Sequence, residues 1–258
     1  MGKQRVEQGR RGRSQGVVKQ QRSSQRQFVV VLAGIAVVGA AAIAYLVTRP
    51  QARPQARDVA VTPAQAEGYL LGNENAPVKI LEFADFECPA CGQFALLTEP
   101  DVRSRIVQSG IASYRFFDYP LPMHKNTMVA SNAAACASDQ GKFWEMHDKI
   151  FFNQPEWSGE QTSNPRKFMA RYAGEIGLDV NAWNTCMDQE RHRDRILGNQ
   201  AEGNRRQVQA TPTFFIGNKV IEGPISYDQF KALVDTAATQ FASAATKRSD
   251  SSAAAGEK

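Results

Sequence analysis

"VKILEFADFECPACGQF", Val78 to Phe94, runs a β-branched, alternately apolar segment into two cysteines separated only by Pro89 and Ala90. Val78 to Phe86 predicts a buried strand, and the apolar-periodic stretch Phe94 to Leu97 predicts a helix behind the cysteines. With the strand ending at Cys88 and the helix starting at Pro89, proline takes the first helical position, where its fixed φ and missing N–H cost nothing. Cys88 is then the helix N-cap. Its sulfur lies beside unpaired backbone N–H groups and the positive end of the helix dipole, and both favour thiolate over thiol. Cys91, one turn in, is placed to attack a mixed disulfide formed on Cys88.

The same spacing serves two other chemistries. A zinc clip needs four ligands, but Cys136 and Cys186 are single, and His124, His147 and His192 form no ligand-spaced cluster with them. No metal is expected. A short structural staple gains little, because a disulfide stabilises chiefly by closing a long loop. Reversible thiol exchange is the chemistry that the spacing suits.

Outward from this stretch, Ala112 to Leu121 reads as a second strand, preceded by a helical segment from Asp101 to Ser109. From Lys125 to about Asn204 nearly everything reads as helix, including Gly141 to Phe152 and Asn164 to Gly177. Strands return at Thr213 to Gly217 and Lys219 to Gly223 around a Gly-Asn turn, and an amphipathic helix closes from Ser226 to Phe241. Strands at both ends with helices between predict an α/β sheet domain, 63–241, with a helical insertion at about 122–206. Ser/Ala-rich residues 242–258 are expected to be disordered.

The chain has 258 residues, and its formal charge of +5 is lopsided. Residues 1–57 hold 11 of the 31 cations and one of the 26 acids, which leaves a body with 20 cations against 25 acids. The basic balance belongs to the N-terminal segment, so nucleic-acid binding is not expected of the body. Residues 28–47, "FVVVLAGIAVVGAAAIAYLV", are an uncharged apolar run long enough for one transmembrane helix. The eight cations in segment 1–27 place the N-terminus in the cytoplasm and the body outside. Cleavage near Ala44, releasing the body, is the alternative. The tandem "RPQARPQAR" within 48–62 predicts an extended, stiff linker. Four cysteines outside a membrane favour disulfides over metal sites.

"ILEFADFECPACGQF", followed far downstream by "ATPTFFIG", resembles the DsbA-like thiol:disulfide oxidoreductases of the thioredoxin superfamily over about residues 67–240. The resemblance implies a thioredoxin-like α/β fold with a helical insertion, no cofactor, and catalysis by Cys88 and Cys91. It implies that Glu82 is the buried acid that exchanges a proton with the inner cysteine; a Glu pointing to solvent is the other reading. Pro212 corresponds to the family's cis-proline facing the cysteines, against an ordinary trans proline. Thr211 corresponds to the residue whose backbone pairs with substrate. Cys136 and Cys186 are similar to a second, structural disulfide of the insertion, against two buried free thiols. The chain departs from the strongest oxidants at Ala90, where they carry histidine, and at Thr211, where the archetype carries valine.

The expected activity is disulfide formation in cysteine-containing secreted or membrane proteins, with a membrane redox partner to reoxidise the enzyme. A reductase or isomerase of the same fold is the first alternative, and a redox-sensing or chaperone-like binding module the second. Phe86 and Phe94 are read as either an apolar substrate rim or core, and His124, Trp144 and His147 as packing or surface polar groups.

Overall fold

A computed structural model describes residues 34–35, 38–42, 44–45, 57–58 and 67–255, with side chains through residue 247 apart from 57–58. The chain divides into two units, 1–53 and 54–258. In the first unit the described residues are helical and exposed. Most of the apolar run 28–47, and all of segment 1–27, lie outside the described residues. Among the described residues no helix is long and apolar enough to cross a membrane.

The second unit is built on a six-stranded sheet: β1 (Arg57–Asp58), β2 (Tyr69–Leu71), β3 (Val78–Ala84), β4 (Ala112–Asp118), β5 (Thr213–Ile216) and β6 (Lys219–Glu222), in the order β1-β6-β5-β3-β4-β2. The central β3 pairs parallel with β4 and antiparallel with β5. A strand covered on both faces is apolar along nearly its whole length, which is why "VKILEFA" stands out in the sequence. Glu82 sits within this strand, between Phe116 and Phe214 in register. Strand alternation puts it on the face of Val78 and Ile80, with Phe83 on the other.

After β3 come α1 (Pro89–Leu97), α2 (Glu99–Val102) and a π-helical turn (Arg103–Val107) leading into β4. The insertion between β4 and β5 holds α3 (Thr127–Ser138), α4 (Phe143–Phe152), α5 (Gln154–Trp157), α6 (Arg166–Glu175), α7 (Val180–Asp188) and α8 (Arg193–Arg205). Helix α3 is buried along Ala130, Ala133, Ala134, Ala135 and Ala137. Those small side chains let its neighbours approach closely, and the buried Trp183 indole donates to Ala133 O at 3.1 Å. One face of the sheet packs Ile80, Tyr114 and Phe214 against Phe94 of α1 and Phe230 of α9 (Tyr227–Ala255). The other face packs Phe83, Phe117, Tyr119 and Phe215.

Three expectations are corrected. Strand β3 ends at Ala84, because Asp85 and Glu87 turn their carboxylates inward to bind backbone. The closing helix continues to Ala255 through residues expected to be disordered; six of residues 242–255 are alanine, the strongest helix former. Within the linker 48–62, Arg57 and Asp58 pair antiparallel with Val220 and Lys219, so the open edge of β6 recruits a short strand from what reads as spacer.

Candidate active site

Helix α1 begins at Pro89, and Cys88 is its N-cap with φ −71° and ψ 122°. The Cys88 amide donates to Asp85 O at 3.1 Å, closing the turn out of β3. Cys88 Sγ lies 3.5 Å from the backbone carbonyl of Thr211. The Thr211–Pro212 peptide bond is cis, and it stands directly before β5, the antiparallel neighbour of β3. Strand pairing therefore delivers residues 211 and 212 to the cysteines from far along the chain.

Cys88 and Cys91 are free thiols. Cys88 is 7% exposed and Cys91 fully buried. The outer sulfur is thus less open than a bare helix start implies, because Thr211 folds over it. A hydrogen bond from Cys91 does most to lower the Cys88 pKa from 9.0 to about 6, against the upward push of burial; the Thr211 side chain and the Cys91 and Ala90 amides add to the lowering. Cys91 is pushed well up, first by burial and then by its bond to Cys88. One sulfur is held as thiolate and its neighbour as thiol.

Glu82 is buried, and Tyr114 Oη donates to its Oε2 at 2.5 Å. Burial, then the nearby Glu99, push the Glu82 carboxyl well above the usual range, and the Tyr114 bond and Arg103 pull less strongly the other way. The solvent-facing reading of Glu82 is excluded by its place on β3.

The turn is braced by carboxylates. Asp85 accepts from the Glu87 and Leu121 amides at 2.7 Å and from His124 Nδ1 at 2.8 Å. Glu87 accepts from the Asn126 amide at 2.6 Å and from the Gly159 amide. Gln154 Nε2 donates to Phe86 O at 2.8 Å and Cys88 O at 3.0 Å. A Cβ at Gly92 would meet Gln154 Oε1 at 3.0 Å, so glycine there makes room for this brace. Sequence reasoning missed Asp85, Glu87 and Gln154; the acids alternating around Phe86 were the one available signal. Phe86 and Phe94 are core, packed against Phe151 and Phe214, not a rim. Beside Pro89 opens a cavity of about 380 Å³ lined by Glu87, Met123, His124, Gln154 and Pro155.

Away from this site, Cys136 of α3 and Cys186 of α7 form a buried disulfide across 50 residues. The fold also brings His192 against them, with all three ligand-type atoms within 4.8 Å, a grouping that sequence spacing does not show. The two sulfurs are committed to each other, and His192 Nε2 lies 2.9 Å from Asp139 Oδ1.

The family model described as thioredoxin matches residues 64–236. The chain belongs to the thioredoxin family. Within it, the solved structure of α-DsbA1 from Wolbachia pipientis superposes with a TM-score of 0.62 over 71% of this chain and 95% of that one, at 21% identity. This thioredoxin-family chain thus has the architecture of the DsbA-like thiol:disulfide oxidoreductases. Disulfide bond formation protein D of Bacillus subtilis is 25% identical over 64% of this chain and 75% of its own length. Na(+)/H(+) antiporter NhaA 3 of Salinispora tropica is 32% identical over 81% of this chain and 32% of its own length. The chain therefore spans about a third of the antiporter sequences it matches.

Proposed function

We propose that this protein forms disulfides in cysteine-containing secreted or membrane proteins, cycling between a Cys88–Cys91 disulfide and a Cys88 thiolate with a Cys91 thiol. The observation that carries the reading is the split between the two sulfurs: Cys88 lowered to about 6 at the start of α1, Cys91 raised and buried one turn behind. A substrate thiolate attacks Cys88 Sγ, the Cys88–Cys91 bond breaks, and Cys91 leaves as thiolate. Glu82 supplies the proton that makes it a thiol. A second substrate thiolate then attacks the substrate sulfur of the mixed disulfide and expels Cys88 as thiolate. The substrate loses two electrons and the enzyme gains them; a membrane redox partner takes them away.

The Thr211 carbonyl, 3.5 Å from Cys88 Sγ, can accept a backbone hydrogen bond from an extended substrate chain, and the cavity beside Pro89 gives that chain room. The name of the Bacillus subtilis relative supports the oxidative direction. The Cys136–Cys186 disulfide supports an oxidising compartment, and the cation-rich segment before the apolar run supports a single-pass anchor with the enzyme outside.

Cys91→Ser tests the exchange chemistry. Expressed in cells, it is expected to accumulate mixed disulfides between Cys88 and client proteins, resolved by dithiothreitol on a gel. If no adduct forms and client binding is unchanged, the protein is a binding module. A reduction potential near that of thioredoxin, about −270 mV, would reverse the assigned direction.

A further inference from the structure

Beneath the cysteines lies a second set of ionisable side chains with no part in the steps above. Glu99 opens α2, Arg103 opens the π turn, and His147 and Asp148 sit on α4. Arg103 Nε donates to Glu99 Oε1 at 2.8 Å, and its terminal NH1 donates to Asp148 Oδ2 at 3.1 Å. Glu99 and His147 are buried, and the imidazole is enclosed by Phe86, Phe116, Phe143, Trp144 and Phe151.

Two atoms stand out. Glu99 Oε2 and His147 Nε2 are both buried without a hydrogen-bond partner, and they lie 3.7 Å apart. Leaving two such atoms unsatisfied costs stability, and native proteins seldom do so without a use. The other imidazole nitrogen has partners of both kinds: Arg103 NH2, a donor, at 3.1 Å and Asp148 Oδ1, an acceptor, at 2.9 Å. The ring is therefore supported with its proton on either nitrogen, as a proton carrier must be. Tyr114, whose hydroxyl is bonded to Glu82, sets its ring 6.0 Å from Trp144, which lies 5.2 Å from the imidazole and under Arg103 at 4.4 Å, so the two sets of side chains share one buried cluster in which Glu99 is the charged group that acts most strongly on Glu82. At the far end, the Asp148 side chain is 59% exposed and lines a cavity of about 690 Å³ together with Arg103, Glu145 and Lys149.

We propose that Glu99 and His147 form a buried proton relay that joins Glu82 to solvent at Asp148. This rests on the exchange reading above. While a substrate is bonded to Cys88 it covers the mouth of the site, and Glu82, having given its proton to Cys91, is a buried carboxylate. A proton then moves from His147 Nε2 to Glu99 Oε2 and on to Glu82, while His147 Nδ1 takes one from solvent beside Asp148. One proton has entered: Glu82 ends neutral, His147 has changed tautomer, and Glu99 keeps the charge that it pairs with Arg103. When the enzyme is reoxidised, Cys91 loses its proton and the path runs outward, which returns the imidazole to its first tautomer. Glu99 and His147 act through Glu82 and are positioning residues.

The test is single-turnover oxidation of a dithiol peptide by the full-length disulfide form, followed across neutral pH, for the unaltered enzyme, Glu99→Gln, Glu82→Gln and the double variant. Glu99→Gln is expected to slow turnover about tenfold, below the usual contribution of a direct general acid because it acts at one remove. It leaves the Cys88 alkylation midpoint in place, and the double variant is no slower than Glu82→Gln. Losses that multiply in the double variant mean two independent structural effects and overturn the relay. An unaltered enzyme that does not oxidise the peptide refutes the exchange reading instead. Should Glu99→Gln fail to fold, the unaltered enzyme decides: its reduced-minus-oxidised infrared spectrum must show imidazole bands changing with the carboxyl bands, and silent imidazole bands overturn the proposal.

Discussion

Cys88 is held by opposing forces: burial favours its thiol, and the Cys91 bond, the Thr211 side chain and two first-turn amides favour its thiolate. The second set wins, so iodoacetamide alkylation is expected to rise with pH around a midpoint of about 6, and a midpoint near 9 refutes the assignment. The same shift links protonation to stability. Because the folded pKa lies below the ordinary value, reduced protein gains stability as pH rises above 6, in full beyond 9, and loses the gain as pH falls through 6. At pH 7 the gain is about 1 kcal/mol, which makes the pair more oxidising, by a few tens of mV, than one whose outer cysteine titrates at about 9. Comparing urea midpoints of the reduced and oxidised forms checks it. At this scale the sequence was partly legible. The C-P-A-C spacing showed both sulfurs and the helix that activates one of them, while Glu82 was reached through the family resemblance, because its predicted strand carries a second acid, Asp85, and pattern alone does not choose between them. Glu99 and His147 did not stand out, since each sits in an ordinary helical segment and only tertiary packing brings them together.

The turn between β3 and α1 is held by side chains from both ends of its own sequence and from the insertion. Glu87 satisfies the Asn126 and Gly159 amides, so Glu87→Ala leaves two donors without partners. The expected cost is about 1–3 kcal/mol, read from chemical denaturation, together with slower exchange as Cys88 loses its fixed position. Unchanged stability would mean that water replaces the carboxylate. Elements with a strong apolar pattern were legible: β3, β4, the β5–β6 hairpin, and the helices of the insertion within a few residues. The three-residue β2 was not, because an edge strand that short has no period to read. Nor was β1, whose two residues gain strand geometry only from the free edge of β6. The low exposure of Cys88 was equally hidden, because the residues that cover it come from far along the chain.

The Cys136–Cys186 bond ties α3 to α7 and closes a loop of about 50 residues. Chain-entropy arithmetic assigns it about 4 kcal/mol, so Cys136→Ser/Cys186→Ser is expected to unfold at markedly lower urea while Cys88 keeps its reactivity. A loss under about 1 kcal/mol would mean that the helices of the insertion hold without the bond. Burial and duty divide the two cysteine pairs, since one must open every cycle and the other is sealed among Ala133, Trp183 and Met187. That seal has a consequence for biogenesis. Those sulfurs are covered once the insertion has closed, so the bond is expected to form before α3 and α7 finish docking. Under the proposed activity, each new molecule is then itself a client, one that an older, oxidised copy can serve.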